Sequence, residues 1–150
     1  MASQYITFMM IFTLGLSLVI LTNSMFLTLS ENFRDTLANM EMQDILEFLQ
    51  NQIQLSLQFG NSGNFTITQH INLPSLLGQG LRYSIEITNT SSNEIQLHGF
   101  TYKYEVNRIQ SFIINSKFNL NVANTAFQSI SEILTLSIGK IGLDLNIQIS

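Results

Sequence analysis

The chain offers two histidines, no cysteine and ten carboxylates with which to do chemistry. By alternation, His70 and His98 fall on the polar sides of two strands, and only Glu94 and Gln96 precede His98 on its own face. A zinc site needs three or four converging protein ligands, so both histidines read as surface residues and no metal site is expected. Glu41, Asp44 and Glu47 recur at i, i+3 spacing on a helical segment. Calcium takes six to eight oxygens that converge on one point, whereas a row of carboxylates on a helix face reads as solvated surface. No G-x-S-x-G turn of a serine hydrolase is present. The Gly78-Gln79-Gly80 stretch lacks the third glycine and following helix of a dinucleotide fingerprint and reads as a hairpin turn. The sequence therefore predicts no catalytic residues and no cofactor. Asn64-Phe65-Thr66 and Asn89-Thr90-Ser91 are N-glycosylation sequons at predicted turn edges. A glycan on Asn64 or Asn89 would place that part of the chain outside the cytoplasm.

These residues are carried on 150 positions, enough for one core and an attached element. Hydrophobic residues make up 45% and charged residues 11% of the chain, against about 25% charged in an ordinary soluble domain. Such a composition excludes a disordered chain. The net charge is -4, and the six Lys and Arg residues are scattered from Arg34 to Lys140. With no basic field, nucleic acid is not an expected partner. The lack of cysteine removes disulfides and thiol nucleophiles.

Between Met1 and Ser30 there is no charged side chain, and the run from Tyr5 to Leu29 has the length of a bilayer-spanning helix. A signal peptide has a shorter apolar stretch of about 7–15 residues behind a basic flank. Met1-Ala2-Ser3-Gln4 supplies no Lys or Arg, so a retained helix is expected. It is apolar all round, which a core this small cannot cover. From Glu31 to Gln58 there is no Pro or Gly, and the helix is predicted to continue to Gln58. Phe26, Phe33, Leu37 and Met40 share one face, while Met42, Ile45, Leu46, Leu49, Ile53 and Leu57 lie roughly opposite at about 100° per residue. The second stripe should dock on a globular domain and the first should meet membrane or neighbouring helices. Two parts result: an N-terminal helix over 1–58 and a β-rich head over 59–150.

The break at Gly60 to Asn64 starts a series of strands. Phe65, Ile67, Ile71 and Leu73 alternate with polar residues until Pro74, and Tyr83, Ile85 and Ile87 do so after the glycine turn. Ile95 and Leu97 are followed by Phe100, Tyr102 and Tyr104 one residue out of phase, so Gly99 is predicted to sit in a β-bulge. Further alternation covers Phe118 to Val122, Leu134 to Ile138 and Ile141 to Ile149. Six or seven strands with one apolar face each predict an α+β chain: a long hydrophobic helix followed by a small antiparallel β-sandwich-like domain.

This layout resembles the pilin-like architecture of archaeal type IV filament systems, including adhesion pili and the archaellum. The run Leu73-Pro74, then Gly78 and Gly80, then Tyr83-Ser84-Ile85-Glu86-Ile87 is similar to a segment that recurs in archaeal pilin-like and archaellum-accessory proteins. The flank Met1 to Gln4 departs from the family pattern, because it holds no basic leader site. It is more like the unprocessed stator and filament-capping components. The resemblance implies that subunit helices bundle into a hydrophobic core with β-domains outside. On that basis Phe8, Phe12, Leu16, Leu18, Leu21, Met25, Phe26, Phe33 and Leu37 would form the helix-bundle surface. The partners implied are further copies or other pilin-like subunits, the membrane, and a cell-envelope or S-layer protein. The function expected is a structural filament subunit at the cell surface, membrane-anchored before assembly, with the β-domain extracellular. The alternative is a membrane-anchored accessory whose β-domain binds the envelope.

Overall fold

The one proline is Pro74, well beyond the glycine-rich break, and in the computed structural model a single helix, α1, spans Ala2–Phe59 with Gly15 inside it. The described residues are 2–59, 63–78, 80–102, 106–114, 119–123 and 125–150. Residues up to Arg34 form one unit, and Asp35–Ser150 form a second. Within the second unit, α1 buries one stripe. Ala38, Met42, Ile45, Leu46, Leu49 and Ile53 are each 8% exposed or less, at the three- and four-residue spacing of one helix face. The stripe expected from Met42 onward is thus the docked face, and Ala38 begins it one turn earlier.

Among the described residues eight strands follow, one or two more than the alternation predicts: β1 (Phe65–Asn72), β2 (Tyr83–Ser91), β3 (Glu94–Thr101), β4 (Asn107–Ile113), β5 (Asn119–Val122), β6 (Thr125–Gln128), β7 (Ile133–Ile141) and β8 (Asp144–Ile149). They form two four-stranded sheets, ordered β1-β7-β8-β5 and β4-β3-β2-β6. Every pairing is antiparallel except β5 with β8. The α+β sandwich layout is as expected.

The inner faces supply one core. Leu134, Leu136, Ile138, Leu145 and Ile147 come from the first sheet, Ile85, Ile87, Ile95, Leu97 and Phe127 from the second, and the α1 stripe joins them. The sheets approach each other where β2 and β6 meet β5 and β8. At the margin bounded by β1 and β4, α1 closes the sandwich. Arg108 Nε donates to Asn39 Oδ1 at 3.1 Å, and Gln110 Nε2 donates to Gln50 Oε1 at 2.8 Å. Phe48 and Gln52 flank β1 at Gln69 and Ile71.

Two readings are corrected. Gly99 does not sit in a bulge: β3 pairs with β2 in unbroken register from Leu97 through Thr101, and the register shift lies between Asn89 and Ser91. Gly99 faces inward, and a Cβ there would stand 2.2 Å from Met42 Sδ. The glycine makes room for the helix, so Phe100 and Tyr102 point outward in phase; Tyr104 lies outside the described residues. Ile141 to Ile149 is likewise not one strand. Ile141 pairs with Asp144 across a two-residue hairpin loop, with Gly142 at φ 63, the conformation required at the first position of a type II′ turn. Leu145, Ile147 and Ile149 are buried, whereas Ile141 and Leu143 are 67% and 62% exposed.

Candidate functional site: an uncovered apolar helix

The first unit has no internal cover for its side chains. Phe8, Phe12, Leu16, Leu18, Leu21, Met25, Phe26 and Phe33 are between 52% and 71% exposed, and Ile6, Leu14, Val19 and Ile20 on other sides of the helix are equally bare. This is the one helix among the described residues long and apolar enough to cross a membrane, with a mean hydropathy of 2.1 over its most apolar stretch. The Phe8 and Phe12 rings stack along the helix at 6.5 Å between centroids, as i, i+4 neighbours do. Leu37, grouped with these residues by sequence, belongs to the second unit and is half-buried beside Ala38.

The polar groups in this run explain how it tolerates an apolar environment. Thr13 donates its hydroxyl to the Met9 carbonyl, Ser17 to Thr13 at 2.8 Å, Thr22 to Leu18 at 2.9 Å and Thr28 to Ser24 at 3.0 Å. Each of these four hydroxyls is satisfied by the helix that carries it, so none of the four demands water. Asn23, the only amide between Tyr5 and Leu29, has no side-chain partner among the described residues.

The motif around Pro74 has a structural task in the head. Leu77 and Leu81 exchange backbone hydrogen bonds at 2.8 Å and close the glycine turn. Gly78, at φ 50, donates its N–H to Glu41 Oε2 at 2.7 Å. Glu41 is therefore a fastener for this loop as well as a surface carboxylate. Tyr83 OH donates to the Pro74 carbonyl at 2.6 Å, and its backbone N–H donates to Ser129 Oγ at 3.2 Å. Burial pushes the Tyr83 hydroxyl above the usual tyrosine range. The loop is thus tied at one end to α1 and at the other to β2.

The two histidines lie on outer faces. His70 is 3.3 Å from Thr135 Oγ1. His98 lies 2.8 Å from Asn107 Oδ1 and 3.9 Å from Glu86. Among the described residues no three His, Asp or Glu side chains converge. Asn64 and Asn89 are exposed. Asn64 Oδ1 accepts the Gly142 N–H at 2.8 Å, a bond that uses the carboxamide oxygen and not the nitrogen that carries an N-glycan. The Glu41 and Asn64 ties join residues far apart in sequence, and no local pattern signals them.

Comparison of the chain with protein-family models, with curated proteins and with solved structures finds no match.

Proposed function

We propose that this chain is a structural, pilin-like subunit of an archaeal surface filament that polymerises through the N-terminal stretch of α1. The observation that carries the reading is the bare apolar surface from Tyr5 to Phe33 on a helix whose continuation is fastened into a folded head. A helix apolar on every side suits lipid before assembly and a helix bundle afterwards with no change in polarity. Burial of each large side chain contributes on the order of 1.5–3 kcal/mol. The head then lies on the outer, extracellular side, where Asn64 and Asn89 are open to glycosylation.

Material sheared from cells and viewed by electron microscopy with an antibody against the head tests this. Labelled filaments are the expected result. A chain confined to the membrane fraction as a monomer or small oligomer would replace this reading with that of an envelope-binding accessory protein.

A further inference from the structure

On the outer face of the β4-β3-β2-β6 sheet, Ser84 pairs with Phe100 on one side and Gln128 on the other. A small side chain between two large ones leaves a trough. Arg82 and Tyr102, beyond the strand ends, and Ile130 extend it into an open cleft of about 650 Å³, within the range of about 300–1,000 Å³ typical of small-ligand sites. Tyr102 is 89% exposed and Ile130 is 65% exposed.

Toward β4 the row is closed by Asn107, which pairs with Phe100 and bonds His98, whose ring lies 4.9 Å from the Phe100 ring. Elsewhere on the outer faces Gln96 bonds Ser111, Thr68 meets Ser137 and Asn121 bonds Asn146. The side chains of Arg82, Ser84, Tyr102 and Gln128 have no such partner among the described residues. Among the described residues Arg82 is the one charged group in the lining, on a chain of net charge -4. Glu86, the next outward residue of β2, is directed to His98.

We propose that this cleft binds an acidic oligosaccharide. An aromatic wall of Phe100 and Tyr102 offers an amphipathic surface to the C–H face of a sugar ring. The Arg82 guanidinium forms a bidentate pair with a uronate carboxylate. Gln128 and Ser84 supply a donor and acceptor set for ring hydroxyls. An extended peptide is disfavoured, because the lining groups are side chains on a sheet face, whereas strand addition uses backbone groups of an edge. The inference concerns the head alone and stands independently of the filament reading.

The test uses the full chain in zwitterionic lipid nanodiscs, with trigalacturonate as probe and saturation-transfer NMR and calorimetry as readouts. Trigalacturonate should bind, with maltotriose at least about tenfold weaker. Arg82→Gln and Tyr102→Ala should each weaken binding about tenfold or more, Tyr102→Phe should restore it, and Ser137→Ala on the opposite sheet should leave it unchanged. Unchanged unfolding midpoints establish that these exposed substitutions leave the fold intact. The proposal is overturned if trigalacturonate shows no transfer, if maltotriose or an acidic tripeptide binds as tightly, or if binding ignores both Arg82→Gln and Tyr102→Ala.

Discussion

The two stretches of α1 belong to one continuous helix and meet opposite surroundings. Before Arg34 the helix is apolar on every side and its large side chains are bare; after it, one stripe from Ala38 to Ile53 is buried and Glu41, Asp44 and Glu47 face solvent. The difference lies in the angular distribution of polarity. A helix with a polar face needs cover on one side only, which a small sandwich can give. A helix without one needs cover all round, which only lipid or several other helices can give. One continuous element thus carries a solved packing problem and an open one.

The sharpest way to break this comparison is to truncate equivalent leucines on the two stretches. Leu49→Ala, at a site 1% exposed, should destabilise the head by about 2–5 kcal/mol in chemical unfolding, whereas Leu21→Ala should leave head stability within about 0.5 kcal/mol. Equal effects would show that the first stretch is covered by the head after all. The converse substitution is Leu16→Arg. A charge at the centre of a membrane helix costs about 2.5–3.5 kcal/mol, so membrane retention and assembly should fall in fractionation assays while the head keeps its unfolding midpoint.

Smaller effects sharpen how the second stretch is held. Gly99→Ala should cost about 1–3 kcal/mol by overpacking, since the new methyl meets Met42 Sδ. Combining it with Met42→Ala should cost less than the sum of the two single changes. A simple sum would mean that the helix does not rest on β3 at that point. Tyr83→Phe should cost about 1 kcal/mol through loss of the bond to Pro74. It also has a pH signature. The Tyr83 hydroxyl is raised by burial above its ordinary value of 10.0, so above about pH 10 the unfolded chain binds fewer protons than the folded one. Stability that is complete at neutral pH should therefore decline as pH rises beyond 10, and Tyr83→Phe should flatten that decline in thermal melts.

Much of this was legible in the sequence because most elements present one largely apolar face. The α1 stripe, β1, β2 and β7 follow the residues that alternation or helical spacing assigns. β4 escaped because its inward positions include Arg108 and Gln110, which meet Asn39 and Gln50 of α1, while Ile109 and Ile113 point outward and are 57% and 78% exposed. Its pattern is inverted by contacts that only the folded chain makes. Gly99 was misread because a glycine at a phase change and a glycine under a helix look the same in one dimension. The bare helix was legible from composition alone. The trough over Ser84 was not, since it depends on which residues the register places beside a serine.

The hydroxyls of Thr13, Ser17, Thr22 and Thr28 are turned back on their own helix. A neighbour packed there can rotate or slide without breaking a hydrogen bond to any of them. The marks on this surface are few: Asn23, the Ser24 hydroxyl and the open backbone at Gly15. Any fixed angular setting between such helices would be indexed at those marks, by the steric fit of the apolar side chains, or from the heads.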